Sequence, residues 1–112
     1  MDSFLEFSVL FDYYGVLLTE TQQNICYLYY NQNLSLTEIS EDLDITKQGV
    51  RDALKKAEKL LVKYESGLHI KEKNEQIGNW VQSIEEILAT TKVSDIEKNK
   101  ISELAERINS LI

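Results

Sequence analysis

The feature that most constrains the fold of this chain is a 30-residue stretch, Ser35–Tyr64, with the sequence SLTEISEDLDITKQGVRDALKKAEKLLVKY. Its first part has the spacing of a capping box, because Ser35 precedes Glu38 by three residues. In that motif the hydroxyl accepts a backbone N–H of the first helical turn, and the carboxylate accepts the N–H of the capping residue. The motif therefore predicts a helix over Leu36–Leu43.

A tight turn and a longer helix are predicted to follow. Asp44 and Ile45 occupy the turn, and Asp tolerates the left-handed conformation better than most residues. Thr46 has the position and chemistry of an N-cap for a second helix that runs to about Tyr64. The apolar residues of the two helices repeat with helical spacing, which is the pattern of a helix-turn-helix.

The second of these helices is basic in an acidic chain. Thr46–Lys63 holds six basic and two acidic residues, a net charge of +4 in a chain of −7, which leaves −11 for the remainder. A basic second helix is what a recognition helix needs to contact nucleic acid. A solvated helix face is the alternative reading. The residues predicted to bind nucleic acid are Thr46, Lys47, Gln48, Arg51, Lys55, Lys56 and Lys59.

Composition predicts an all-α, intracellular protein. The chain has no proline and four glycines in 112 residues, which suits helices with short connections. A single cysteine, Cys26, excludes an internal disulfide and fits a reducing compartment. No secretory signal and no apolar run of membrane-spanning length is recognisable, so we expect a cytoplasmic protein that does not enter a membrane.

Two helices are expected before the helix-turn-helix. Residues 3–18 form an apolar first element, which either packs one side on the core and the other on a partner or forms a central helix wrapped by later ones. Thr19 and Gln22 make a second capping box, which predicts a helix from Glu20 to about Tyr30.

The segment after Tyr64 is expected to be helical as well. Gly67 either lies within a continuing helix or ends it. Two further amphipathic helices are predicted to follow, the second with its start signal at Ser94. Their apolar stripes are expected to pack as a hairpin on the core or on a second subunit. We therefore divide the chain into a helix-turn-helix domain, residues 1–65, and a helical C-terminal extension, residues 66–112. The stripes are Ile77, Trp80, Val81, Ile84, Ile87 and Leu88, and then Ile101, Leu104, Ala105, Ile108, Leu111 and Ile112.

No pattern of catalytic chemistry is recognisable. One histidine and one cysteine do not make a zinc ligand set. Neither a glycine-rich phosphate loop nor a nucleophile elbow is present. We expect a protein without catalytic residues, metal or cofactor.

Several segments of the chain together point to a known family. They are FDYYGVLLT (residues 11–19), the following Gln22, the Tyr29-Tyr30 pair, LSLTEIS (residues 34–40) and TKQGVRDALKKAEKLLVKYESGLH (residues 46–69). These segments resemble the YlxM family of small bacterial helix-turn-helix proteins. The resemblance covers about residues 4–73. It implies a helix-turn-helix similar to region 4 of bacterial sigma factors, which reads promoter DNA.

The resemblance also implies a place in protein targeting, since the genes of this family sit beside those for the signal recognition particle. Two functions follow as expectations. One is a DNA-binding regulator of that pathway, and the other is a module that binds the particle's protein or RNA directly. A homodimer is expected in either case, from the apolar first element and the two C-terminal stripes.

Overall fold

The computed structural model describes residues 3–111, and across this range the chain is all-α, which confirms the predicted fold class. Six α-helices and no strand are found in these residues. The chain divides into two compact units, the first ending at His69 and the second beginning at Ile70. The helices are α1 Ser3–Tyr14, α2 Glu20–Cys26, α3 Leu36–Leu43, α4 Lys47–Leu68, α5 Ile70–Thr90 and α6 Asp95–Ser110.

The start of α3 and the turn after it follow the sequence signals. The Ser35 hydroxyl accepts the Glu38 N–H at 3.1 Å, and the Glu38 carboxylate accepts the Ser35 N–H at 3.0 Å. The bond from the Ser35 N–H to the Glu38 carboxylate, followed by the interaction of that carboxylate with the Ser35 side chain, holds the pKa of Glu38 below its usual range. Asp44 adopts the left-handed conformation, with φ 54° and ψ 47°. Both capping and turn residues of the helix-turn-helix are thereby confirmed.

Helix α4 takes one of the two courses that the sequence left open at Gly67. The helix-turn-helix pattern extends to about Tyr64, and the helix continues through Gly67 to Leu68. The break comes at His69, which is left-handed with φ 55° and donates its N–H to the Glu65 carbonyl. The boundary between the two compact units therefore lies four residues after the domain boundary drawn from the sequence.

The segments before α3 are helical but not uniformly wound. After α1 the chain forms a 3₁₀ turn over Gly15–Leu17, and the capping box of Thr19 and Gln22 then starts α2 as predicted. The predicted helix to about Tyr30 is also present, but its last turn, Tyr27–Asn31, is a π-helix. Wider winding of this kind is rare and shifts the side chains of the turn relative to an α-helix.

One hydrophobic core holds the first unit together. Buried side chains from the four helices meet in it, and α1 packs against α4 and against the π turn. The apolar first element is thus largely covered within its own unit, although Leu5 and Val16 remain 61% and 83% exposed. The buried residues are Leu10, Tyr14, Leu18, Ile25, Cys26, Tyr30, Ile39, Val50, Leu54, Ala57 and Leu61.

Two tyrosine hydroxyls tie the N-terminal helices to α4. Tyr30, in the π turn, donates to the Glu58 carboxylate at 2.8 Å. Tyr14, at the end of α1, donates to the Glu65 carboxylate. Both acceptors are partly buried residues of α4 and lie seven residues apart, which is about two helical turns. The two bonds therefore attach α4 to the π turn and to α1 at two positions along the helix.

The second unit is a two-helix hairpin. Helices α5 and α6 pack together across the short connection of residues 91–94, and the Ser94 hydroxyl accepts the Glu97 N–H at 3.2 Å, confirming that start signal. Among its described residues, only Val81, Leu88 and Ala105 are buried apolar side chains. Ile112, the last member of the predicted stripe, lies outside the described residues.

Candidate nucleic-acid interface

The residues predicted to contact nucleic acid all lie on exposed positions between the N-cap of α4 and Lys59. The opposite side of the helix supplies the core through Val50, Leu54, Ala57 and Leu61. This division follows from the sequence, since the four apolar residues recur at helical spacing and the basic residues fall between them. The exposed candidates are Thr46, Lys47, Gln48, Arg51, Lys55, Lys56 and Lys59.

The row of basic residues spaced by four does not run straight along the helix. Each step of four residues turns by about 40° in a helix of 3.6 residues per turn. The row Lys47, Arg51, Lys55 and Lys59 therefore winds from beside the buried stripe to the side opposite it. The N-terminal half of the row and the C-terminal half would contact different parts of one partner.

The first turn of α4 is electrostatically suited to an anion. It contains no acidic residue, and its N-terminal end carries the positive end of the helix dipole together with Lys47. The Thr46 hydroxyl caps the helix by accepting the Gly49 N–H at 2.9 Å. A Cβ at Gly49 would lie 3.1 Å from the Thr46 Oγ1 atom, a close contact that a small shift of the Thr46 side chain would relieve.

Gln48 is held between two charged neighbours. Its Nε2 donates to the Asp52 carboxylate at 2.8 Å, and its Oε1 accepts from the Arg51 Nη1 at 3.1 Å. All three side chains are exposed, so water or a ligand can replace these bonds at little cost. The bonds place the side chains of Gln48 and Arg51 beside each other on the exposed surface of α4. Asp52, which was not among the predicted residues, is an acidic member of this surface.

A groove beside Arg51 was missed by sequence reasoning. It has a volume of about 380 Å³, and its walls include Tyr29 of the π turn and Leu36 of α3 as well as Arg51 and Lys55 of α4. The Arg51 and Lys55 side chains thus lie next to the apolar side chains that line this groove. The sequence holds no signal for this groove, because its walls come from three separate segments that only the fold brings together.

The helix that precedes α4 is acidic on its exposed side. Glu38, Glu41, Asp42 and Asp44 are all exposed, and the chain has no Lys or Arg before Lys47. In a helix-turn-helix the first helix crosses the DNA backbone. Carboxylates near phosphates repel them, so attraction for a polyanion is concentrated on α4.

Cys26 has no role at this surface. It is fully buried in the core, and burial, with the Glu58 charge as a smaller cause, raises the pKa of its thiol to about 12. A protonated, enclosed thiol is unreactive. Across residues 3–111, no helix combines the length and the apolar character that crossing a membrane requires.

Comparison with known proteins identifies the family. A family described as "Putative helix-turn-helix protein, YlxM / p13 like" (UPF0122) matches residues 1–108. A UPF0122 protein of Caldanaerobacter subterraneus is 45% identical over 87 residues, which cover 78% of this chain and 74% of the relative. One of Clostridium novyi is 39% identical over 116 residues, covering all of this chain and 96% of the relative. The chain therefore belongs to the UPF0122 family of YlxM- and p13-like helix-turn-helix proteins.

Proposed function

We propose that the chain is a non-catalytic DNA-binding regulator of the signal recognition particle pathway, acting in the cytoplasm as a homodimer. The observation that carries the DNA-binding part is the net charge of +4 over Thr46–Lys63, displayed on exposed positions of the second helix of a helix-turn-helix. The link to the targeting pathway is supported by the family resemblance.

In this proposal the N-terminal half of α4 enters the major groove. Thr46, Lys47, Gln48, Arg51 and Lys55 face base edges, and Arg and Gln are the side chains that pair with guanine and adenine in a bidentate manner. Lys56 and Lys59 hold phosphates and set the register of the protein on the duplex.

Arg51→Ala is the test of base reading. We expect it to weaken binding to a cognate duplex by about 1–3 kcal/mol, or roughly 5- to 150-fold, and to relax the sequence preference. The measurement is fluorescence anisotropy with duplex DNA from upstream of the protein's own gene, over a salt series. Lys92→Ala is the control, since Lys92 is an exposed cation in the connection between α5 and α6 and is not one of the residues predicted to bind nucleic acid.

Two further results separate reading from simple attraction. Arg51→Lys keeps the charge but loses the planar pair of donors, so it should lower sequence preference more than total affinity. Lys59→Ala should weaken all sequences alike and reduce the salt slope by about 1. Equal affinities of wild type, Arg51→Ala and Lys92→Ala at physiological salt would contradict the assignment of Arg51 as a reader.

Direct binding to the signal recognition particle is the second candidate, and the acidic surface of α3 favours it. Those carboxylates oppose a close approach to phosphates on the side where α3 would cross a DNA backbone. The test is co-purification of the full chain with the particle's GTPase subunit and, separately, with its RNA. Failure of both, at low salt, would remove this candidate.

A further inference from the structure

One face of the C-terminal hairpin is apolar and uncovered. Trp80, Ile84 and Ile87 of α5 are between 36% and 62% exposed, and Leu104, Ile108 and Leu111 of α6 are between 46% and 87% exposed. We call these six residues the hairpin face. The contact between α5 and α6 uses instead the buried Val81, Leu88 and Ala105.

The six residues lie on one side of the hairpin. Trp80, Ile87 and Leu104 each precede a buried contact residue by one position, which is a rotation of about 100° about the helix axis. In a pair of antiparallel helices, residues that are rotated by the same angle from the contact lie on the same side of the pair. The open rows of α5 and α6 therefore form one continuous surface.

The spacing of this surface is that of a helical bundle. On α5 the residues Ile77, Val81, Ile84 and Leu88 alternate in steps of four and three, and Trp80 and Ile87 add a further row. A helix with one neighbour needs two apolar positions per heptad, whereas a bundle helix has a third position that packs on a second neighbour. The hairpin supplies one neighbour for each helix, and the third positions, among them Trp80 and Ile87, remain exposed and available to a second.

We infer that a second copy of this chain covers the hairpin face, so that two hairpins form a four-helix bundle about a two-fold axis. This deepens the proposed function, in which the protein is a homodimer, by assigning the surface through which it pairs. The Glu103 and Arg107 side chains beside the face form an ion pair of 2.8 Å with each other.

The area of the face matches what a dimer needs. If a large apolar residue offers roughly 200 Å² when fully exposed, the exposed fractions of the six residues correspond to on the order of 700 Å². A standard interface buries about 800 Å² on each partner. A second copy on this face would also stabilise the hairpin, since a unit of about 40 residues with so few buried apolar side chains rarely holds its fold alone.

Trp80 allows a test on the unaltered protein, because it is the only tryptophan of the chain. The full-length protein is examined at micromolar concentrations by sedimentation, and the tryptophan emission is followed on dilution. We expect the mass of two chains, and an emission maximum that shifts to the red as the dimer dissociates. A mass of one chain with a solvent-exposed emission at every concentration would overturn the inference.

Charge placed on the face should separate the copies. Trp80→Glu and Leu104→Glu are each expected to raise the dissociation constant of the dimer by at least about 30-fold. Asn79→Glu and Asn99→Glu add the same charge at exposed positions off the face and should leave it unchanged. A dimer that survives both face variants with its affinity intact would show that another surface is used.

The outcome is distinguishable from that of the DNA-binding proposal. A dimer that binds no duplex DNA would sustain the hairpin assignment and refute the proposed function. A monomer that binds a single half-site in an Arg51-dependent way would refute the hairpin assignment and the homodimer, and would sustain only the DNA-binding part of the proposed function. Circular dichroism of each variant confirms that the helices remain, so that loss of the dimer is not loss of the fold.

Discussion

Removing the hydroxyl of Tyr30 should measurably weaken the attachment of α4 to the π turn. The Tyr30 hydroxyl donates to the Glu58 carboxylate at 2.8 Å, and the tyrosine itself is 6% exposed. Burial, together with this bond, raises the pKa of Tyr30 above its ordinary value, so the hydroxyl remains a donor at neutral pH. Tyr30→Phe keeps the ring in the core and deletes only the donor.

The expected cost is about 1.5 kcal/mol in the free energy of unfolding. Hydrogen bonds to charged groups contribute about 1.5–3 kcal/mol. The lower end applies here because Glu58 is only partly buried and water can replace part of the lost interaction. Tyr27→Phe is the matched control, since the Tyr27 hydroxyl accepts from Gln32 at an exposed site and its loss should cost less than about 0.5 kcal/mol.

The assay uses the distribution of the aromatic residues. All six tyrosines lie in the first unit and the one tryptophan lies in the second. Near-ultraviolet circular dichroism of tyrosine during urea unfolding therefore reports on the unit that contains α4. Tryptophan emission follows the hairpin in the same sample, where neither substitution should have an effect.

A double-mutant cycle isolates the bond itself. Glu58→Gln retains an acceptor oxygen but removes the charge, and the coupling energy between positions 30 and 58 should be about 1 kcal/mol. If Tyr30→Phe and Tyr27→Phe destabilise the first unit equally, the bond to Glu58 adds nothing net and the reasoning is refuted.

Three other substitutions test the core, the cap and the pH dependence of the first unit. Ile39→Ala, in the fully buried centre of α3, should cost about 2–5 kcal/mol, whereas Ile45→Ala at the 41% exposed turn should cost far less, as measured by urea unfolding. Ser35→Ala removes the cap of α3 and should cost about 1 kcal/mol in the same assay; no loss would mean that Glu38 or water replaces the hydroxyl. Burial keeps Cys26 protonated to a pKa of about 12, while the unfolded thiol titrates near 9.0. Between these two pH values the folded protein keeps a proton that the unfolded chain has lost, so the free energy of unfolding should fall as pH rises, by up to about 1.4 kcal/mol per pH unit. The free energy of unfolding of Cys26→Ala, which lacks the thiol, should fall less steeply.

The local signals in the sequence were sufficient to predict the helix-turn-helix. The capping boxes of Ser35 and Thr19 depend on residues three positions apart, and Asp44 takes the left-handed conformation because the turn requires it. Such features are encoded within a few residues, so they can be recognised before any tertiary contact is known.

Features that depend on distant residues could not be predicted in this way. Whether α4 continues past Gly67 was left open by the sequence; the helix runs on to Leu68, because a glycine on an exposed helix surface weakens the helix without ending it. The groove beside Arg51 and the bonds from Tyr30 and Tyr14 to α4 join segments that are far apart in the chain. The seven exposed candidate residues were found from their spacing, and their contact with nucleic acid remains a prediction.

The uneven distribution of charge has a consequence for the rate at which any polyanion associates with this protein. At low ionic strength the screening length is about 30 Å at 0.01 M salt, so an approaching duplex interacts with the whole chain and its net charge of −7. At physiological ionic strength the length is about 8 Å, and a duplex close to α4 interacts mainly with that helix. Added salt should therefore first accelerate association, by screening the long-range repulsion, and slow it only later, by weakening the contacts on α4. A uniformly basic binding protein shows only the second effect, and so tends to hold any DNA it meets. This chain would instead bind a polyanion only in encounters in which α4 faces it.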